Sequence, residues 1–143
     1  MSNVNAKVQH DFDHSIDRVW AILGDFGNMG WTMGPERIEL IGSGVGMIRR
    51  LYMPGLSAPI EEVLESIDPA ARTFSYTIPR GFPLPITNYL AAVKLEDLGG
   101  NRCRVHWSAT GEAVGMGGEE AAALLDGVYG QMLGWLGDAL ARG

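Results

Sequence analysis

At 143 residues, 46% of them hydrophobic, the chain has the size of one domain with a sizeable core, and no second domain is expected over 1–143. Seventeen Asp and Glu against eleven Lys and Arg leave a net charge of −6, without the basic footprint that phosphate backbones or anionic lipid select, so no nucleic-acid partner is expected. No apolar run approaches the roughly 18 residues of a membrane span. The amino-terminal MSNVNAKVQHDFDH is polar, and the single cysteine, Cys103, excludes an internal disulfide, so a cytoplasmic protein with no stable membrane insertion is expected.

Residues Ala6 to Asp13 alternate loosely, with Val8 and Phe12 among polar neighbours, as a strand with one wet face does. The period then changes. From Ser15, a candidate N-cap with Asp17 in the first turn, Ile16, Val19, Trp20, Leu23 and Phe26 recur at three- and four-residue spacing and predict an amphipathic helix of about three turns. Gly24, Gly27 and Gly30 close it, and NMGWTMGP reads as an irregular connector.

Short strands divided by turn residues follow. Arg37 to Ile41, Met47 to Met53, Ile60 to Ile67, Thr73 to Ile78, Thr87 to Leu95 and Arg102 to Thr110 predict an antiparallel meander. The DLGGN between the last two is a hairpin signal. GSGVGM has closely spaced glycines, but MIRRLYM after it reads as strand, so it is a hairpin and not a dinucleotide site. Two connections are unusual: PGLSAP and RGFPLPITNY are rich in proline and largely apolar, where a plain turn would be small and polar.

Helical period returns from Glu119 to Ala141, with Leu125, Val128, Met132, Trp135, Leu136 and Ala139 sharing one broad face. Gly127, Gly130, Gly134 and Gly137 fall opposite, read either as tolerated or as a self-association surface that would make a homodimer. The expected class is α+β: a curved antiparallel sheet of about seven strands wrapped around a long carboxy-terminal helix.

In VWAILGDFGNMGWTM, GMIRRL, EEVLESIDPAARTFSY, PLPITNY, RVHWS and the last helix, taken in that order over nearly the whole chain, the sequence resembles the START/Bet v 1 helix-grip superfamily, in particular its polyketide cyclase/dehydrase and lipid transport group. It also resembles, more distantly, the plant abscisic acid receptors. In those proteins the loops matching PGLSAP and RGFPLPITNY are a gate and a latch at the mouth of an internal cavity. The resemblance implies a helix-grip fold and a hydrophobic pocket, and no single ligand.

Carried over residue by residue, the resemblance places Arg49, Leu51 and Met53 inward on the strand entering the gate. Alternation agrees, since Arg50 and Tyr52 then point the other way. Alternation alone does not choose between Glu61 and Glu62, because Leu64 supports one phase and Val63 with Ile67 the other; the resemblance chooses Glu62. An inward Arg49 needs a carboxylate or an anionic ligand, and Glu62 beside it would form a polar pair able to orient a ligand. Without a partner, Glu62 would be the candidate catalytic residue, a general acid or base. Tyr76, Ile78, Asn88 and Tyr89 match further pocket positions, and Trp107 alternates inward with Cys103 and Val105. Leu56, Leu84, Ile86 and Phe82 supply apolar surface on the two loops, and Leu125, Val128 and Met132 supply the helix wall.

The leading expectation is a binding protein for a small hydrophobic molecule: a lipid, a polyketide-like compound or an aromatic one. The alternatives are a polyketide aromatase/cyclase-type enzyme using the same pocket and a homodimerising interaction module. His10 with His14, and Cys103 with His106, do not hold ligand spacing on one face, so no metal and no cofactor is expected.

Overall fold

The computed structural model describes residues 2–143. Its elements are β1 (Ser2–Phe12), α1 (Ile16–Leu23), β2 (Arg37–Ile41), β3 (Ile48–Tyr52), β4 (Ile60–Asp68), β5 (Thr73–Arg80), β6 (Ile86–Gly99), β7 (Arg102–Ala113) and α2 (Gly118–Arg142). The strands form one sheet in the order β1-β7-β6-β5-β4-β3-β2, with every neighbouring pair antiparallel. From β2 onward each strand pairs with its successor in the chain, and β1 closes the far edge on β7. This is the antiparallel meander that the strand pattern predicts and the helix-grip arrangement that the resemblance implies.

β1 begins earlier than its alternation indicated, because Val4 and Ala6 are buried against the last helix while their neighbours stay wet. Its ladder with β7 runs from Ser2↔Ala113 to Phe12↔Cys103. The β6–β7 turn is the predicted hairpin: Gly99, Gly100 and Asn101 all take positive φ, which glycine and asparagine adopt at least cost.

α1 is shorter than expected. Ser15 caps it, its Oγ accepting from the Arg18 N–H at 3.2 Å, with Asp17 in the first turn. It stops at Gly24, where a Cβ would stand 2.4 Å from the Trp20 ring. Phe26 therefore lies beyond the helix, and its ring packs edge-on against Phe74. We expect Ser15→Ala to lower the unfolding free energy by about 1 kcal/mol. An unchanged midpoint in urea would show that the cap contributes nothing.

α2 lies across the concave face. Its buried stripe is Ala121, Leu125, Tyr129, Leu133, Leu136 and Leu140, a face turned from the sequence expectation by the inclusion of Tyr129 and Leu133. Val128 is left 42% exposed at the edge of that stripe. Two contacts fix the helix at its ends. Gly118 allows the first turn to rest on β1, since a Cβ there would stand 1.9 Å from the Asn3 carbonyl oxygen, and an Arg18 guanidinium N–H donates to the Leu140 carbonyl. Gly127, Gly130 and Gly134 have nothing within 4 Å of where a Cβ would sit, so no element among the described residues packs on them.

No helix among the described residues is long and apolar enough to cross a membrane.

Candidate functional site

Between the sheet and α2 lies a cavity of about 220 Å³. β3 contributes Leu51 with Met53 just beyond it, β4 contributes Ile60 and Glu62, β5 contributes Tyr76 and Ile78, and Tyr89 and Trp107 come from β6 and β7. Leu125, Val128, Tyr129, Gln131, Met132 and Trp135 form the helix wall. Exposed Val128, Gln131 and Pro83 place its mouth between α2 and the loop after β5.

Of the residues expected at the site, Leu51, Met53, Glu62, Tyr76, Ile78, Leu84, Tyr89, Trp107, Leu125, Val128 and Met132 line this cavity. Arg49, Leu56, Ile86 and Asn88 do not. Arg49 is only 3% exposed, but its side chain is spent behind the wall: Nε donates to Glu62 Oε1 at 2.6 Å and Nη1 to the Phe26 carbonyl at 2.8 Å. Its guanidinium stacks 3.8 Å above the Phe26 ring. Leu56 stands 40% exposed at the tip of its loop. Asn88 sits at a register shift of β6 with φ +54, which turns it outward to donate to Glu112 at 3.3 Å. Ile86, paired with Ala113 on the inner face, is buried beside Gly111 and borders a second space, a groove along β5 and β6.

The two loops do meet, though not as paired lips. Gly81 packs where a Cβ would be 2.0 Å from the Pro59 carbonyl oxygen, at φ +77, so the foot of one loop is clamped to the end of the other. Phe82, Pro83 and Leu84 reach the cavity, whereas nothing between Pro54 and Pro59 does. The connector after α1 takes that place with Met29, Thr32 and Pro35. It is held by its own bonds, Trp31 Nε1 donating to the Asn28 carbonyl at 3.0 Å and Thr32 Oγ1 to that of Met29 at 2.7 Å. Sequence reasoning missed these three residues, and also Ile60, Tyr129 and Gln131. For Tyr129 the four-residue spacing of Ala121, Leu125, Tyr129 and Leu133 was a usable signal.

Polar groups gather at one side of this apolar space. The Tyr89 and Tyr129 hydroxyls bond each other, and Trp107 Nε1 donates to the Tyr76 hydroxyl at 3.2 Å. Trp107 and Tyr129 stack with ring centroids 5.5 Å apart. Burial pushes all three tyrosine hydroxyls well above the ordinary phenol range, and for Tyr76 the Glu62 carboxylate adds to this. They are protonated hydrogen-bonding groups at neutral pH. Glu62 is not the partnerless carboxyl that an acid–base role requires, since Arg49 holds it directly across the β3–β4 ladder.

Residues 3–141 match the family model described as polyketide cyclase / dehydrase and lipid transport. Among solved structures, the protein XoxI from Bacillus cereus is similar at 29% identity, covering 95% of this chain and 94% of that one with a TM-score of 0.83. A protein from Thermobifida fusca is similar at 25% identity, covering 96% and 93% with a TM-score of 0.79. Norcoclaurine synthase from Thalictrum flavum, in complex with dopamine and hydroxybenzaldehyde, shares the fold at 19% identity, covering 99% and 89% with a TM-score of 0.72. No curated protein sequence matches the chain.

Proposed function

The chain belongs to the polyketide cyclase / dehydrase and lipid transport family, and from that premise we propose that it binds a small, uncharged, largely apolar molecule carrying a hydroxyl or carbonyl group. The observation that carries this reading is the cavity itself, with its apolar walls and one polar side made of Glu62, Tyr76, Tyr89 and Tyr129. Proton accounting narrows the ligand. In the Tyr89–Tyr129 pair one hydroxyl donates to the other, so one O–H is left to donate elsewhere. Glu62 uses one oxygen on Arg49, and a carboxylate has about four lone-pair sites, so it can accept more. A neutral hydroxyl meets both needs. An anionic group would face Glu62 while the Arg49 charge is already matched, and its desolvation would be uncompensated.

Two features support holding over transforming. The carboxylate is paired, and the tyrosines are kept protonated by burial, so they donate hydrogen bonds without serving as bases at neutral pH.

Fluorescence titration with 2-naphthol, naphthalene and 2-naphthoate tests this. The expected order of affinity is 2-naphthol, then naphthalene, then 2-naphthoate. In the double variant Tyr89→Phe/Tyr129→Phe the advantage of 2-naphthol over naphthalene is expected to shrink by about five- to tenfold, the worth of roughly 1 kcal/mol of hydrogen bonding. Tightest binding by 2-naphthoate, or no binding of any of the three, would sink the reading.

A further inference from the structure

Resting on that reading, we propose that the cavity continues through a parting between β5 and β6 into a groove on the outer face of the sheet, and that the ligand is an amphipathic molecule whose neutral polar tail runs through this seam. Successive side chains of a strand point to opposite faces, so a groove on one face of an unbroken sheet is lined from one set only. This groove, of about 910 Å³, is lined by the outward residues Ser75, Thr77 and Leu90 and also by Ile78 and Tyr89, which line the inner cavity. Residues of both faces meet there because the sheet is open.

The ladder explains the opening. β5 and β6 pair from Thr73↔Lys94 only as far as Thr77↔Leu90. Beyond that point each strand stays with its other neighbour, β5 through Glu61↔Arg80 and β6 through Ile86↔Ala113. Register shifts fall at the same level in both outer pairings, between Glu61 and Val63 and between Thr87 and Leu90. Bulges bend the strands that carry them, and these two sit on either side of the seam.

Phe82 closes the seam. Its ring lies on Tyr89 with centroids 4.6 Å apart, and it lines both spaces. Gly81 fixes the backbone against Pro59, which leaves the Phe82 side-chain torsions as the moving part. The chemistry on the two sides differs. Inside, aromatic and aliphatic walls enclose about 220 Å³, below the roughly 300–1,000 Å³ usual for ligand pockets. Outside, the lining is polar: Thr87 and Asn88 border the groove, the Ser75 and Thr77 hydroxyls are bonded to Ser66 and Glu65 but keep lone pairs, and Glu65 and Arg80 bring opposite charges, which suits a neutral polar chain. Tyr89 belongs to the polar side of the cavity, so an extension from the ligand's oxygen starts at the seam.

The test compares 2-naphthol with its triethylene glycol ether, using cysteine variants labelled with a biotin maleimide. Cys103 is fully buried and burial pushes its thiol up to about 11, so the reagent goes to the introduced cysteine. An adduct on Thr87→Cys, exposed in the groove, is expected to lower the preference for the tailed over the untailed probe at least fivefold. An adduct on Leu124→Cys, 42% exposed one turn before Val128 and outside the cavity lining, is expected to leave that ratio within twofold. Phe82→Ala is expected to raise it at least fivefold. The reverse pattern, with the Leu124 adduct acting and the Thr87 adduct silent, would show that the tail leaves by the mouth and overturn the proposal; so would equal effects or none. Failure of both probes to bind would instead overturn the binding reading, and this inference with it.

Discussion

Replacing Arg49 by methionine is expected to lower the unfolding free energy by about 3–5 kcal/mol, the cost of leaving a buried carboxylate without its partner. Arg49 and Glu62 face each other across β3 and β4, with side chains 4% and 10% exposed. The guanidinium also bonds the Phe26 carbonyl and lies against the Phe26 and Tyr76 rings, 3.8 and 5.4 Å from their centroids. One cation thus ties β3, β4, β5 and the connector after α1 together. Glu62→Leu alone is expected to cost a similar amount, because it strands the guanidinium instead. The double variant Arg49→Met/Glu62→Leu removes both charges and keeps the volume, and is expected to return within about 1–2 kcal/mol of the parent. Urea unfolding of the four proteins gives the coupling directly. Additive single effects, or an Arg49→Met loss under about 1 kcal/mol, would show that the pair is not the clamp described.

The pair on the other side of the same two strands makes the contrast. Arg50 bonds Glu61 at 2.7 Å and Glu39 at 2.8 Å, but its side chain is 31% exposed, and Arg80 shares Glu61 from a side chain 78% exposed. The Glu61 side chain is itself only 9% exposed, but its two cations are open to solvent and each leaves the carboxylate a second partner, so they matter less one by one.

Why Glu61 and Glu62 could not be separated by alternation is now physical. β4 carries register shifts between Glu61 and Val63 and between Leu64 and Ser66, so no single phase runs its length. Leu64 is buried and Ile67 half-buried although they belong to opposite phases. The same kind of irregularity hides in β6, where alternation from Ile86 carries Asn88 inward and alternation from Tyr89 carries it outward. Strand positions and order were legible because hydrophobic period and turn residues are local. The cavity wall was less so. Which face of α2 meets the sheet depends on Gly118 resting on β1 and on the tie from Arg18, contacts more than a hundred residues apart in the chain. Met29, Thr32 and Pro35 reach the cavity from a connector with no period to read.

Above about pH 10 the protein is expected to lose stability by roughly 4 kcal/mol for each pH unit, a steepness that comes from the three buried tyrosines together. Burial is the main cause of the upward shift at Tyr76, Tyr89 and Tyr129, and neighbouring groups add to it: the Glu62 carboxylate first for Tyr76, the Tyr76 hydroxyl first for Tyr89 and Tyr129. In the unfolded chain each phenol releases its proton near pH 10, while in the folded chain it keeps it. The folded state therefore binds more protons in this range, and rising pH favours unfolding, with each tyrosine contributing about 1.4 kcal/mol per pH unit. Below pH 10 both states hold the protons and the tyrosines leave stability independent of pH. Cys103 adds the same sign of effect from about pH 9, its thiol being pushed up to about 11 by burial and then by Asp97 and Asp11. Against a total stability of about 5–15 kcal/mol, this slope brings cooperative unfolding between roughly pH 11 and 13. Tyrosinate absorbance from these three residues is expected to rise together with the loss of far-ultraviolet circular dichroism. Tyr129→Phe should remove about a third of the slope. If all four tyrosines titrate while the dichroism stays native, the polar side of the cavity is open to water, and the buried hydroxyl pair cannot be what selects the ligand.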